Sequence, residues 1–286
     1  MIKFLKSKRG IFYFVLAIIF VIPLLIESSD VDAKYANNRE QYDSTLSSVN
    51  SIDKALKYVD DLARINTTGT IDTLRYVRSA SQFTKSRFFH GLSRYKFSEN
   101  WIAVVGGKLF WDHMSAIVNP EDIIKHSDAL CSQQSIVFLE ILKRRGIKSR
   151  SVGLGLKEGP GHFLAEVYYD NEWHLYDVNK EPKWERIKNH HKSMEYYLLN
   201  KDTLFIPYED QMEKSAFYKI IEKVEYGKIN EFPAKNMILF HRTTNILTYL
   251  IPTFFFLLAF RFYSKVRKTA KLKEREIAPV TTYEKV

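Results

Sequence analysis

Two long apolar runs lie near the ends of the 286-residue chain. Residues 11–26 (IFYFVLAIIFVIPLLI) directly follow a basic tip, and residues 243–263 carry one charge, that of Arg261. A helix that is apolar on every face and roughly 20 residues long is typical of a membrane span. The pattern predicts transmembrane helices over residues 11–27 and 243–263. A cleaved signal peptide is the alternative for the first run, since Val31-Asp32-Ala33 loosely resembles a cleavage site.

The residues after the first run show the spacing of amphipathic helices. Residues 39–65 place apolar side chains three and four positions apart, which predicts one helix that ends at Asn66-Thr67-Thr68-Gly69. A second helix is expected to begin near residue 71. Residues 97–125 are rich in aromatic side chains and lack a clear period, so we expect an irregular segment there. That segment ends in a short helix start at Pro120.

The pattern becomes sharper beyond residue 127. A helix is predicted over residues 130–145, with Ser127 or Asp128 placed to cap its beginning. Gly146 ends it, directly after two basic residues. Alternation of apolar and polar positions predicts three strands, and a polar helix follows them: residues 149–154, 162–169, 172–179 and 193–199. Helices followed by an antiparallel sheet indicate the α+β class.

The charge of the chain is concentrated at its two ends. The net charge is +10, of which residues 1–10 contribute +4 and residues 261–286 contribute +5. The remainder carries only +1, and this removes the main argument for nucleic-acid binding. Basic residues flank membrane spans on the cytoplasmic side. We therefore expect the tip 1–10 and the tail 264–286 to be cytoplasmic, with residues 28–242 outside, in a periplasm or equivalent compartment.

The chain has one cysteine, which excludes a disulfide framework and a Cys-rich zinc module. Cys131 falls in the first turn of a predicted helix, where backbone N–H groups and the helix dipole stabilise a thiolate. If Asp170-Asn171 forms a hairpin tip, His162 and Asp177 become diagonal neighbours on one face of the two strands. A helix-borne Cys facing a strand-borne His and Asp is the arrangement that acyl transfer requires.

At this point the sequence resembles a known family. The segments ALCSQQSIVFLEILKRRGIKSRSVGL and GHFLAEVYYDNEWHLYDVN are similar to the transglutaminase-like superfamily of papain-type cysteine enzymes. The resemblance covers about residues 71–180 and implies a papain-like core in a membrane-anchored bacterial protein. It implies three roles: Cys131 as nucleophile, His162 as general base and acid, and Asp177 as the residue that orients the imidazole.

Three positions depart from the family pattern. Leu164 stands where many members have Trp, Asp177-Val178-Asn179 replaces Asp-Pro-Thr, and Ala129-Leu130-Cys131 replaces Gly-x-Cys. None removes a group of the triad. They leave open the substrate preference, in a family that includes peptidases, amidases, cross-linking transferases and inactive binding modules.

Further side chains are candidates for supporting roles. Asn179 is an alternative orienting residue, and Glu166 either supports the site or forms an ion pair within the strands. Trp111 is a candidate oxyanion donor through its indole N–H, with core packing as the alternative. His174 and the pair His190-His191 lack the spacing of zinc ligands, so we expect neither metal nor cofactor.

The sequence therefore predicts a thiol enzyme anchored in the bacterial inner membrane by two helices, acting on amide or peptide bonds outside the cytoplasm. The expected substrates are proteins, peptides or amidated polymers, with hydrolysis or acyl transfer through a thioester. The alternative is a catalytically silent transglutaminase-like module that scaffolds an envelope or polysaccharide-export assembly. The lipid bilayer is an expected partner and nucleic acid is not.

Overall fold

The computed structural model describes most of the chain, in six stretches: residues 7–26, 41–64, 72–155, 161–180, 182–188 and 191–277. It divides into two compact units. The first is made of residues 1–29, 95–115 and 240–286, and the second of residues 30–94 and 116–239. Three features singled out in the sequence lie outside the described residues: Val31-Asp32-Ala33, the helix end at Asn66-Thr67-Thr68-Gly69, and His190.

The first unit contains the two apolar helices expected from the sequence. Helix α1 is Lys8–Val21, extended by a 3-10 turn at Ile22–Leu25, and the last helix, α10, is Lys235–Ile277. Both are long and apolar enough to cross a membrane. They run antiparallel, because ring stacking pairs Tyr13 with Phe262 and Phe20 with Phe255.

The expectation of an irregular segment over residues 97–125 is wrong for its first half. Phe97–Leu109 forms a helix, α4, followed by a 3-10 turn at Asp112–Ser115. Within α4, Asn100 leaves helical geometry, with φ −155° and ψ 77°. Its amide donates to the hydroxyl of Thr244 (2.9 Å) and accepts from that of Thr248 (3.3 Å), both on α10. These non-local contacts, which the sequence spacing does not reveal, hold the helix in place.

The second unit begins with helices that were predicted as one. Residues 39–65 were expected to be continuous, but a 3-10 turn at Ser44–Ser48 is separate from helix α2, Ile52–Ala63. The expected helix is interrupted at Ser51, whose backbone is extended and whose hydroxyl caps the N-terminus of α2. The apolar side chains of both pieces, such as those of Leu46 and Val59, still face the core, which explains the unbroken spacing.

The helices that follow lead to the centre of the unit. Helix α3 begins close to the expected residue 71, and the short α5 confirms the helix start at Pro120. Helix α6 lies within one residue of the range expected at each end. These three helices are Thr73–Arg87, Pro120–Ile123 and Cys131–Arg144. Two short strands not anticipated from the sequence, β1 (Phe89–His90) and β2 (Asp128–Ala129), pair in parallel just before α6.

A four-stranded antiparallel sheet packs against α6. Its order is β5-β4-β3-β6, and its strands are β3 (Ser149–Leu154), β4 (His162–Tyr169), β5 (Glu172–Tyr176) and β6 (Val224–Tyr226). Asp170 and Asn171 form the expected hairpin tip with φ of 50° and 63°, as a type I′ turn requires. The register agrees with the expectation. Strand β5 ends at Tyr176 rather than at residue 179, because the next residues form a turn.

Beyond β5 the chain forms a set of short helices that cover one face of the sheet. They are 3-10 turns at Trp184–Arg186 and Ile206–Tyr208, and helices α7 (Met194–Leu199), α8 (Lys201–Phe205) and α9 (Lys214–Ile220). The helix expected over residues 193–199 is confirmed, whereas β6 was not anticipated. The described residues thus combine many helices with one antiparallel sheet, and they include two long apolar helices.

Candidate active site

Cys131 is the first residue of α6, and Leu130 before it has extended backbone. The free N–H groups of the first helical turn and the helix dipole therefore point toward the side of the helix on which the thiol lies. The thiol is neither fully buried nor fully exposed. A hydrogen bond connects this helix to the sheet: the hydroxyl of Ser135 donates to the carbonyl of Phe163 at the start of β4 (3.2 Å).

Gln133, two residues later, fixes the beginning of α6. Its buried amide oxygen accepts from the backbone N–H groups of Leu130 (3.1 Å) and Ser93 (3.0 Å). Its amide nitrogen donates to the carbonyls of Ser93 (2.8 Å) and Ile117 (2.7 Å). One side chain therefore satisfies four backbone groups, and it ties the helix that carries Cys131 to two other segments of the unit.

His162 is the first residue of β4 and has two partners. Its Nε2 lies 2.7 Å from Oδ2 of Asp177, and its side chain is also hydrogen-bonded to Cys131. Because Nε2 is engaged by the carboxylate, Nδ1 is the ring nitrogen available to the sulfur. The backbone N–H of Phe163 also donates to the thiol. The structure thus brings Cys131, His162 and Asp177 into one hydrogen-bonded chain.

Asp177 is fully buried and its carboxylate accepts four hydrogen bonds. Oδ1 accepts from the backbone N–H groups of Asn179 (3.0 Å) and Lys180 (2.9 Å). Oδ2 accepts from His162 and from the hydroxyl of Tyr208 (2.9 Å). The turn that ends β5 early is therefore what supplies the two N–H donors, and four protein donors stabilise the negative charge.

The electrostatics favour a charged pair. Burial raises the pKa of Asp177, but the charge and hydrogen bond of His162 and the backbone N–H donors outweigh it, so this pKa is lowered to about 2. Burial likewise lowers the pKa of His162, but the charge of Asp177 prevails and raises it to about 10. Burial raises the pKa of Cys131, whereas the hydrogen bond and charge of His162 lower it, and the net direction is downward. A thiolate beside an imidazolium is the state these shifts support.

The supporting residues expected from the sequence are not all at the triad. Glu166 is buried and is used structurally: it pairs with Arg150 (2.7 Å) and accepts from the backbone of Met194 (2.6 Å). Trp111 belongs to the first unit, where its half-exposed indole ring contacts His113. These contacts support neither a role of Glu166 at the triad nor a role of Trp111 as an oxyanion donor.

Asn179 contacts a residue that sequence reasoning missed. Its amide nitrogen lies 2.9 Å from Nδ1 of His90, and the orienting contact to the imidazole of His162 comes from Asp177 instead. His90 is close enough for the charges of His162 and Asp177 to act on it. Burial and the charge of Lys180 lower the pKa of His90, which favours a neutral ring.

Tyr208 and Gln133 were also missed. Gln133 occupies the third helical position, where a Gln side chain returns to the N-terminus of a helix, and this spacing was a usable signal. Tyr208 and His90 are non-local: each reaches the site only through the folding of a distant segment.

The structure shows no metal-binding arrangement in the part of the chain that it describes, where no group of three or more His, Cys, Asp or Glu side chains is placed to hold an ion. Each ring nitrogen of His174 lies within hydrogen-bonding distance of a backbone carbonyl, Nδ1 of that of His191 (2.7 Å) and Nε2 of that of Tyr169 (3.1 Å).

Comparisons with known proteins identify no relative: no family model, no curated protein and no solved structure matches this chain.

Proposed function

We propose that the protein is a membrane-anchored thiol enzyme with a transglutaminase-like, papain-type core, which cleaves or transfers amide bonds. The observation that carries this proposal is the hydrogen-bonded chain from Cys131 through His162 to the buried carboxylate of Asp177. A scaffold has no need for a partly exposed thiol whose pKa is lowered by an imidazole. No observation of the described residues specifically favours the silent-module alternative.

The geometry supports a two-step reaction. The Cys131 thiolate attacks an amide carbonyl and forms a C–S bond, while backbone N–H groups at the start of α6 are available to the oxyanion. As the C–N bond breaks, Nδ1 of His162 gives its proton to the leaving amine. Water then attacks the thioester, His162 accepts one of its protons, the C–S bond breaks and the acid leaves. An amine in place of water gives transfer, but hydrolysis is proposed because water is abundant.

We also propose that α1 and α10 cross the inner membrane of a bacterial envelope, with the part of the chain between them outside the cytoplasm. The basic residues at both ends support cytoplasmic termini under the positive-inside rule. The antiparallel stacking of α1 on α10 is consistent with two crossings that return the chain to its starting side.

The test is the pH dependence of alkylation by iodoacetamide, measured on the full chain in detergent. Cys131 is the only cysteine, so every labelling event reports on the site. We expect fast labelling that persists to about pH 5–6, whereas an ordinary thiol titrates near pH 8.5. In His162→Ala the fast labelling at low pH should be lost. Slow labelling of the parent protein that rises only near pH 8–9 would refute the proposal and favour a binding module.

A further inference from the structure

A cavity of about 170 Å³ lies beside the imidazole of His162. One wall is the sheet, through Leu154, Leu164 and Leu175. The other walls come from residues 204–221, which lie outside the region that resembles the transglutaminase-like superfamily. The cavity is therefore a feature of this chain's own C-terminal helices and is not implied by the resemblance.

The lining of the cavity selects for apolar groups. Apart from His162, Lys180 and the hydroxyl of Tyr208, its side chains are aliphatic, aromatic or thioether, and Leu204, Met212, Phe217 and Ile220 are among them. For comparison, an engineered cavity of about 150 Å³ lined by Leu, Ile and Phe side chains binds benzene. An aromatic ring or a branched aliphatic side chain therefore matches the size and the polarity of this cavity.

The position of the cavity ties it to the triad. His162 lines it and is hydrogen-bonded to Cys131, while Tyr208 lines it and donates to Asp177. A group bound there lies against the imidazole that exchanges a proton with the substrate. His162 is therefore the residue that the cavity and the triad share, whereas Cys131 does not line the cavity.

We infer that this cavity is the specificity pocket of the enzyme and that its substrates carry an apolar group, of the size of a phenyl or leucyl side chain, next to the reacting amide. This role rests on the proposed function. It narrows the substrate class from any amide to amides of apolar residues, and it assigns the choice to α8, α9 and the segment between them.

The test compares two alkylating probes on the full-length protein in detergent: iodoacetamide and N-benzyliodoacetamide, each normalised to its rate with free cysteine. Filling an apolar pocket is worth roughly 10- to 200-fold for small groups. We expect the benzyl probe to label Cys131 at least about tenfold faster than iodoacetamide after normalisation. In Met212→Trp, where a larger side chain fills the pocket, the ratio should fall to about one while the iodoacetamide rate is retained.

The controls separate the pocket from the triad. Met212 is only partly buried, so the Trp variant is expected to fold, and an unchanged pH profile with iodoacetamide demonstrates that it has. Met212→Leu conserves volume and should keep the benzyl preference, and Ile220→Trp should abolish it from a second position. A ratio near one in the parent protein with fast iodoacetamide labelling overturns the pocket alone. A benzyl preference that survives both Trp variants overturns it as well. Slow iodoacetamide labelling in every variant overturns the proposed function instead.

Discussion

The charge of Asp177 is what keeps His162 protonated, and Asp177→Asn removes that charge at constant volume. The Asn carbonyl can still accept from the backbone of Asn179 and Lys180, which turns its NH2 group toward Nε2 of His162. Nε2 must then accept a hydrogen bond, so the proton of the neutral ring moves to Nδ1. An imidazole with its proton on the side of the sulfur cannot take the proton of the Cys131 thiol.

The size of the effect follows from the pKa of His162. The carboxylate raises it to about 10, whereas burial alone would place it below its ordinary value of 6.5. If the pKa of His162 decreases from about 10 to 6.5, the imidazolium loses roughly 5 kcal/mol of stabilisation. Without a cation beside it, the Cys131 thiol loses the hydrogen bond and charge that lower its pKa. An ordinary thiol, with a pKa of about 8.5, is about 1% thiolate at pH 6.5. Labelling at that pH is expected to slow about 100-fold.

The assay is iodoacetamide labelling of the full chain between pH 5 and 9, followed by intact mass. The matched control is Asp170→Asn, the same change at an exposed position on the tip of the β4–β5 hairpin, which should leave the profile unchanged. A variant Asp177→Asn that still labels at the parent rate down to pH 6 would show that another group holds the imidazolium, and the triad assignment would fail.

Two further outcomes are expected. Gln133→Leu removes four hydrogen bonds to backbone groups, of which the Ser93 carbonyl keeps the N–H of Ile117. The other three groups lose the partner that Gln133 provides, which should reduce the free energy of unfolding by about 4 kcal/mol, since each such group costs about 1–3 kcal/mol. The matched control Gln134→Leu loses a single side-chain hydrogen bond, from its amide nitrogen to the carbonyl of Ala129 (3.0 Å), and should cost about 1 kcal/mol. Equal losses of stability in the two variants, measured by thermal melts, would contradict the role assigned to Gln133. In intact cells, a membrane-impermeant maleimide should label Cys131 from outside; labelling only after lysis would refute the proposed topology.

Local signals were sufficient for the elements that carry the triad. The limits of α6 were within one residue because two basic residues and Gly146, with φ 70°, mark its end. The register of β4 and β5 followed from Asp170-Asn171, since a two-residue turn leaves one pairing. That register was enough to bring His162 and Asp177 together without any knowledge of the remaining fold.

The parts that sequence reasoning missed depend on contacts between distant segments. Helix α4 is held by the pairing of Asn100 with Thr244 and Thr248, more than a hundred positions away. His90 reaches the site because β1 pairs in parallel with β2, and parallel pairs leave no turn signal in the sequence. Tyr208 donates to Asp177 from a segment whose short helices have weak periodicity, so its role was not recognisable from spacing.

The pairing at Ser93 has a practical consequence for producing the protein. The chain leaves the second unit after Arg94 and returns at Ala116, and these two residues pair antiparallel, with Ile117 N–H donating to the Ser93 carbonyl (3.0 Å). A fragment cut only at residues 28 and 242 would keep the excursion 95–115 but lose α1 and most of α10. Replacing that excursion by an Asn-Gly hairpin turn closes the same ladder. A fragment that contains the second unit, with Cys131, His162 and Asp177, but none of the first therefore requires one excision in addition to removal of the two ends.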